Sequence, residues 1–343
     1  MNKKEYKHKY NPANERMKYQ YAKHIRRTKQ RDEKTVLSAL KHIRDFEIFI
    51  KFSGFEKFND QIADKYVQYI LSLNLSKSYI SDNIRALKEF LKWLERQNGY
   101  RSKINYNHID YLNISTNQQK EAKAMDYQPS YTFEQIIKTI RHMPNSTDKE
   151  KRDKAIISLN ALCGLRVSEL RTIKIKNLIQ ENGGYFLHIS PKNMQVKFAK
   201  TRTVHFMPLP EDIIINVIAW RDYLKTLEFK NNDPLFPVID NRFTETNLLC
   251  QTMRKEEIKS DTTIRNIFKK AFETAGFAYI KPHSFRNTMA RDAQYQSPAF
   301  LNAVRQNLGH NSIDTTLNSY GQLSVAEQGR VISSANLNTD DTV

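Results

Sequence analysis

Hydrophobic positions in the first third of the chain recur at the spacing of amphipathic helices. The pattern runs from about Thr35 to Gln97 and divides into three predicted helices. Ser78 is predicted as the cap of the third helix, and the asparagine–glycine pair of "ERQNGY" (95–100) marks its end. A small all-helical domain is therefore predicted here. The positions that follow the helical spacing are Leu37, Leu40, Ile43, Phe46 or Glu47, and Ile50; Ile62, Tyr66, Tyr69 and Ile70; and Ile84, Leu87, Leu91 and Leu94.

The pattern changes twice after this domain. Residues 101–130 lose periodicity and are rich in Asn, Gln, Ser and Lys, which predicts an interdomain linker. Helical spacing returns at Thr132, and a further helix is predicted over roughly 151–163. "GYFLHIS" (184–190) and "TRTVHFMP" (201–208) alternate as a strand pair does, with a long basic segment between them. Helices are predicted from there to the end of the chain.

Charge narrows the range of partners. The 343 residues include 55 Lys and Arg against 37 Asp and Glu, a formal net charge of +18, which favours nucleic acid or an anionic membrane. No apolar run approaches the roughly 20 residues that span a bilayer, and the N-terminus lacks the apolar segment of a signal peptide. Cys163 and Cys250 form neither a disulfide framework nor a zinc cluster, which fits a reducing cytosol. Nucleic acid is therefore the expected partner.

Basic residues concentrate in two places. In residues 1–31, Lys and Arg are opposed only by Glu5 and Glu15, and tyrosines are interleaved with them. This segment is interpreted either as an arm that follows DNA phosphates or as a solvated, partly disordered leader, and the one-sided charge favours the arm. The third predicted helix is also basic, which favours DNA contact over a bundle that binds nothing. The candidate DNA-binding residues are Arg26, Arg27, Lys77, Arg85, Lys88 and Lys92.

Four segments of the C-terminal half carry candidate chemistry. "GLRVSEL" places Arg166 and Glu169 three residues apart, at neighbouring helix positions within an apolar run. An ion pair that only fixes helix packing explains this segment equally well. "PHSFRNTMAR" has His283 and Arg286 after a proline that suits a helix start, where anions bind. The other two segments are the basic stretch between the strands, which supplies a lysine, and "LGHNSIDTTLNSY", with His310 and Tyr320.

Together these groups suit phosphodiester transfer. A scissile phosphate gains negative charge in its pentavalent transition state, and arginine matches that charge with a rigid fork of donors. A lysine or histidine can protonate the leaving oxygen, and a tyrosine can attack phosphorus to form a covalent intermediate. A lone tyrosine is otherwise most often a core residue. No cluster of carboxylates is evident that would hold two magnesium ions.

The four segments, in this order across residues 160–325, resemble the signature of the tyrosine recombinases, also called the phage-integrase family. They read "CGLRVSEL", "AKTRTVHFMPLP", "HSFR" and "LGHNSIDTTLNSY". The helical N-terminal region is similar, less specifically, to the family's core-binding domain. The resemblance implies that Arg166 and Arg286 clamp the non-bridging oxygens of the scissile phosphate, that His310 donates to the same phosphate, and that Glu169 holds Arg166 in the free protein. It also implies that Tyr320 is the nucleophile, which forms a 3′-phosphotyrosyl link, and that His283 is its acid/base partner. The hairpin lysine would protonate the 5′-oxygen as it leaves.

Three positions depart from the family pattern. Phe285 stands where leucine is usual, and both residues suit an apolar core position. The interval from His310 to Tyr320 is one residue longer than in many Xer-type relatives, although no other tyrosine lies between Tyr295 and the C-terminus. The hairpin lysine is ambiguous. Counting back from Pro208 selects Lys200, which we prefer, whereas matching the downstream Arg202 selects Lys197.

The resemblance also implies a fold and a division of the chain. The fold is expected to be mainly α with a small β-hairpin or sheet, an α+β catalytic domain following an all-helical, SAM-like core-binding domain. The tail is interpreted either as docking on a neighbouring protomer or as frayed. The expected parts are a basic arm (1–31), the core-binding domain (32–105), a linker (106–130), the catalytic domain (131–325) and the tail (326–343).

The function implied is that of a Xer-like site-specific recombinase, which cleaves and rejoins DNA without metal or nucleotide cofactor. Double-stranded DNA is the expected partner, bound by a homotetramer on two sites. An accessory DNA-bending protein or a second recombinase is a further possible partner, and the expected location is the cytoplasm and nucleoid of a prokaryote, phage or mobile element. The alternatives are a catalytically inactive DNA-binding accessory or regulatory protein, and a type IB topoisomerase or telomere resolvase.

Overall fold

A computed structural model describes residues 10–114, 129–192, 194–196, 201–243 and 249–309, and the single residue 333. The chain divides into two compact units, Met1–Met125 and Asp126–Val343. The division falls inside the segment predicted as a linker, and each unit has its own hydrophobic core.

The first unit is helical. Its helices begin at side-chain caps, which accept hydrogen bonds from backbone N–H groups that the helix cannot satisfy. Ser76, not Ser78, caps the fourth helix by accepting from Tyr79. A 3₁₀ turn covers Phe55–Lys57. The helices are α1 (Pro12–Arg27), α2 (Glu33–Phe49), α3 (Asp60–Ser72), α4 (Lys77–Leu94) and α5 (Tyr106–Ile109).

The predicted basic arm is wrong from Pro12 onward. Helix α1 buries an apolar stripe in the core of the first unit: Met17, Tyr21, Ala22 and Ile25. Lys18 is buried as well, in an ion pair with the buried Glu47 at 2.5 Å. Residues 1–9 lie outside the described residues, so the arm remains a prediction there.

The predicted linker also begins later than expected. Helix α5 and the residues after it belong to the first unit, because Ile109, Leu112 and Ile114 are buried in its core. The apolar spacing of this short stretch is masked in the sequence by the polar residues around it.

The second unit is mainly helical with two small antiparallel sheets, which confirms the predicted fold class. Every residue from Ala155 to Cys163 is buried, so the second helix of this unit runs through its centre. Capping boxes at Thr132 and Thr147 start the first two helices. The helices are α6 (Phe133–His142), α7 (Asp148–Cys163), α8 (Val167–Thr172), α9 (Glu211–Thr226), α10 (Asp261–Thr274), α11 (Ser284–Gln294) and α12 (Pro298–Leu308).

The predicted strand pair forms the antiparallel pair β2 (Gly184–Ile189) and β3 (Arg202–His205). Strand β1 (Leu178–Glu181), which pairs with the other edge of β2, was not predicted. A separate hairpin of β4 (Pro237–Phe243) and β5 (Leu249–Glu257) was not predicted either. The polar residues of that hairpin break the alternation that identifies a strand, and the structure pairs some of them across it, as in the Asp240–Arg254 ion pair at 2.9 Å.

Candidate active site

The apolar run around Arg166 is not one continuous helix. Helix α7 ends at Cys163, and Gly164 takes a left-handed conformation (φ 57°, ψ 43°) that turns the chain. Arg166 is the residue that precedes α8, and its backbone N–H donates to the carboxylate of Glu169 at 2.9 Å. This turn lifts the Arg166 guanidinium out of the buried row, so that 18% of its side chain is exposed.

The Glu169 carboxylate is fully buried and bound by two arginines. Arg166 donates from Nη1 to Oε1 at 3.1 Å. Arg202 forms a bidentate contact, in which Nη1 donates to Oε1 at 3.0 Å and Nη2 donates to Oε2 at 2.8 Å. Burial raises the pKa of Glu169, but the hydrogen bonds and charge of Arg202, together with Arg166, outweigh it and hold that pKa below its ordinary value. The carboxylate is therefore ionised at neutral pH.

Arg202 also ties β3 to the end of α12. Its Nε donates to the carbonyl of Asn307 at 3.0 Å. The Asn307 side chain in turn pairs with the backbone of His205, donating to its carbonyl at 2.8 Å and accepting from its N–H at 3.0 Å. Helix α12 ends one residue later at Leu308, and Gly309 caps it with φ 68°. These contacts fix the chain just before His310.

Arg286 connects three of the four predicted segments. It lies on α11, and its side chain is fully buried. Nη1 donates to the carbonyl of Gly164 and Nη2 to the carbonyl of Leu308, both at 2.6 Å. The preceding residue, Phe285, is buried against Phe268, with ring centroids 5.3 Å apart. The expected apolar core role of Phe285 is thus confirmed.

His283 marks the start of α11. It is the N-cap residue of that helix and is exposed. The carbonyl of the preceding Pro282 accepts a hydrogen bond from the buried Asn160 of α7 at 3.4 Å. Part of the loop before it is held by Tyr131, whose hydroxyl donates to the carbonyl of Ala278 at 2.9 Å and accepts from the N–H of Ile280 at 2.6 Å.

The structure therefore brings the segments of Arg166 and Arg286 together at the Gly164 turn, with Glu169 beneath Arg166. His310, Tyr320 and both candidate lysines, Lys197 and Lys200, lie outside the described residues. Within the described part of the chain, no group of His, Cys, Asp and Glu is placed to hold a metal ion.

Arg202 belongs to the site through its contact with Glu169, although the sequence did not predict a role for it. A signal for it exists in the alternation of β3. Side chains two apart on a strand share a face, so Arg202 lies on the same face as the buried Val204. An arginine on the buried face of a strand requires a partner for its charge, and that partner is Glu169.

The candidate DNA-binding residues lie in the first unit. Arg26 pairs with Glu33 at 2.7 Å, and Arg85 pairs with Asp82 at 2.6 Å. Lys88 donates to Asn113, and partial burial lowers its pKa from the ordinary lysine value. The side chains of Arg85, Lys88 and Lys92 line one groove of α4. Arg27 and Lys77 are exposed.

In the part of the chain that the structure describes, no helix is long and apolar enough to cross a membrane.

Comparison with known proteins places these features in a family. The phage integrase family matches residues 129–327. Tyrosine recombinase XerC of Lactobacillus delbrueckii subsp. bulgaricus is 25% identical over 303 residues, covering 87% of this chain and 91% of its own. Tyrosine recombinase XerC of Staphylococcus aureus (strain USA300) is 25% identical over 288 residues, covering 83% of this chain and 84% of its own.

Two solved structures share the fold. The XerH site-specific recombinase bound to a palindromic difH substrate, in a post-cleavage complex, aligns with a TM-score of 0.59 at 18% identity, covering 87% of this chain and 77% of that one. A lambda integrase dimer bound to a COC' core site aligns with a TM-score of 0.59 at 13% identity, covering 91% and 99%.

Proposed function

As a member of the phage integrase family, this chain is a tyrosine site-specific recombinase that breaks and rejoins DNA, and we propose that Tyr320 makes the break. Its hydroxyl oxygen attacks the scissile phosphorus and forms a 3′-phosphotyrosyl link as the 5′-oxygen leaves. Attack by the freed 5′-hydroxyl of a partner strand then reverses the step. One ester replaces another in each direction, so the cycle as proposed consumes no nucleotide.

The observation that carries this proposal is the pairing of two arginine segments at one turn. Arg286 donates to the carbonyl of Gly164, only two residues before Arg166. The Arg166 guanidinium is partly exposed and has a single side-chain hydrogen bond to Glu169 among those described. We assign both arginines to the non-bridging oxygens of the scissile phosphate. Their donors are held in place before DNA binds, and preorganised donors are usually the largest catalytic contribution.

The remaining roles follow from the order of the four segments that resemble the family's signature. His310 donates to the same phosphate, directly after the helix end that Arg202 and Asn307 hold. His283, exposed at the start of α11, is the acid/base partner of Tyr320. The hairpin lysine, Lys200 or Lys197, protonates the 5′-oxygen as it leaves.

The substrate is double-stranded DNA, and the first unit supplies part of its contact surface. The groove of α4 lined by Arg85, Lys88 and Lys92 is basic, and the net charge of +18 favours the phosphate backbone. Phosphate contacts position a protein without selecting a sequence. We propose further that the protein acts as a tetramer on two duplexes, in the cytoplasm of a prokaryote, with residues 326–343 exchanged between protomers.

A nicked suicide substrate tests the central step. A nick beside the cleavage site lets the short strand diffuse away after attack, which traps the covalent protein–DNA adduct on a denaturing gel. The wild-type protein should form the adduct. Tyr320→Phe keeps the ring but lacks the hydroxyl, so it should bind DNA normally and form none. An adduct from Tyr320→Phe under the same conditions would falsify the assignment of the nucleophile.

A further inference from the structure

We propose that Arg202 is a positioning residue that neutralises the Glu169 carboxylate, so that the Arg166 guanidinium can bind the DNA phosphate. This inference rests on the proposed role of Arg166 as a phosphate ligand. It adds a fifth polar side chain to the described part of the site, one that does not contact DNA and acts through Glu169 and Arg166.

The division of hydrogen bonds at Glu169 supports this role. Arg202 contacts both carboxylate oxygens, at 3.0 and 2.8 Å. Arg166 contacts only Oε1, at 3.1 Å, through one guanidinium nitrogen. A bidentate arginine–carboxylate pair is stronger than a single hydrogen bond, and at Glu169 the bidentate partner is Arg202. The carboxylate thus steadies Arg166 without taking up its whole fork of donors.

Burial makes this division matter. Glu169 is fully buried, and only 8% of the Arg202 side chain is exposed, whereas Arg166 is 18% exposed. Opposite charges interact strongly when they are shielded from water. A buried carboxylate with Arg166 as its only cation would bind that guanidinium tightly and compete with the phosphate for it. With Arg202 present, two arginines face one carboxylate, and one positive charge remains for the phosphate.

Arg202 is itself held so that it cannot exchange places with Arg166. Its Nε donates to the carbonyl of Asn307 at 3.0 Å, and its backbone belongs to β3. It also passes close to Gly309, where an added Cβ would lie 3.1 Å from Cδ of Arg202. A shorter or more flexible cation would lose either the fork or this anchor.

A charge-removal cycle tests the inference. Single-turnover adduct formation on the nicked substrate is compared for wild type, Arg202→Gln, Glu169→Gln and the double variant. We expect Arg202→Gln to lower the cleavage rate by about tenfold or more, with affinity for a one-site duplex unchanged within about twofold. Glu169→Gln removes the competing charge, so the double variant should cleave several times faster than Arg202→Gln alone.

A purely structural role predicts the opposite. If Arg202 only fastens β3 to α12, then Glu169→Gln removes a further contact and the double variant is no faster than Arg202→Gln, which would overturn the inference. Arg202→Lys is included in case Arg202→Gln does not fold. It keeps the charge but not the fork, so its smaller cleavage defect should also be relieved by Glu169→Gln. A lysine variant that gains nothing from Glu169→Gln overturns the inference equally.

Two further variants separate the possible failures. Arg152→Gln removes another buried arginine, which contacts Asp153 at 2.7 Å and the carbonyl of Pro237 at 3.0 Å, outside the candidate site. It should lower the melting temperature and leave cleavage by the folded protein intact. Arg166→Ala tests the premise. If it cleaves normally, the proposed role of Arg166 fails, and the inference fails with it. If it is inactive while Arg202→Gln is not rescued, only the inference fails.

Discussion

Arg286 donates from Nη1 to the carbonyl oxygen of Gly164 at 2.6 Å, although 122 residues separate them in the chain. The contact exists because Gly164 turns the chain at the end of α7 with φ 57°, which exposes its carbonyl to α11. Gly164 therefore does two things: it turns the chain so that Arg166 lies outside the buried row, and its carbonyl accepts the hydrogen bond from Arg286, the second candidate phosphate ligand.

Gly164→Ala should disturb this turn strongly. A Cβ at this position would lie 2.6 Å from Sδ of Met289 and 2.9 Å from Cδ2 of Leu308, in addition to the positive φ. We expect a loss of about 2 kcal/mol or more in the free energy of unfolding, measured by urea denaturation. Gly183→Ala is the matched control, because Gly183 has φ 76° with nothing within 4 Å of an added Cβ. It should cost only about 1 kcal/mol. Equal losses at both positions would show that backbone strain alone matters.

Arg166 gives a prediction about chemistry rather than folding. Arg166→Lys should be nearly as damaging to cleavage as Arg166→Ala, with both slowed by about 100-fold or more, because one ammonium cannot reproduce a planar fork. Both variants should have melting temperatures close to that of the wild-type protein, since the Arg166 side chain is partly exposed and Arg202 still neutralises Glu169. A large fall in melting temperature with cleavage preserved in the folded fraction would instead assign Arg166 a structural role.

The hairpin lysine can be identified by changing the leaving group of the DNA substrate. Sulfur in place of the 5′-bridging oxygen leaves without needing a proton, so a general acid becomes dispensable. Lys200→Ala should fail on normal DNA and recover on a 5′-bridging phosphorothioate, as scored by adduct formation. If Lys197→Ala alone shows this recovery, the general acid is Lys197 and the alignment of the loop moves by three residues.

Tyr131 gives a prediction about alkaline pH. Burial raises its pKa to about 12, opposed by the hydrogen bond from Ile280. A raised pKa in the folded state means that the stabilisation is complete below the unfolded value of about 10 and is lost as the pH rises through the folded value. Tyr131→Phe should therefore cost about 1 kcal/mol at pH 8, and this cost should shrink as the pH rises above 10. Urea denaturation of both proteins across this range measures it, and a cost that stays constant contradicts the assignment.

The end of the chain gives a prediction about assembly. If the segment "LSVAEQGRVISSANL" (323–337) docks on a neighbouring protomer, deleting residues 324–343 should leave single-site DNA affinity near wild type. The same deletion should abolish the cooperative second binding step and recombination. Gel shifts with one-site and two-site DNA measure both. Unchanged cooperativity with full recombination would reduce the segment to a dispensable tail.

Much of this protein follows from local sequence. Helices α2, α3 and α4 of the first unit were predictable from apolar spacing, as was the β2–β3 pair from alternation, because each pattern reports which side of a single element is buried. The four boxes also indicated the family before any contact was known, and the match over residues 129–327 confirms it. Their residue types and order carry that information along the chain.

The errors arose where the charged residues of an element have their partners in a distant segment of the chain. Helix α1 was hidden among charges, yet the buried Glu47 neutralises its Lys18 from another helix. The β4–β5 hairpin carries charges that are matched only across the strands, as in Asp240 with Arg254. Neither pairing is visible within one segment.

The candidate site shows the same division between sequence and tertiary structure. The sequence by itself determined that Arg166, Glu169 and Arg286 occur in a recombinase pattern. Only the tertiary structure decided that Arg202 takes both oxygens of Glu169 and that Arg286 is fastened to Gly164 and Leu308. The physical reason is that a buried charge takes as its partner whichever group the fold brings near it, and spacing along the chain does not specify that group.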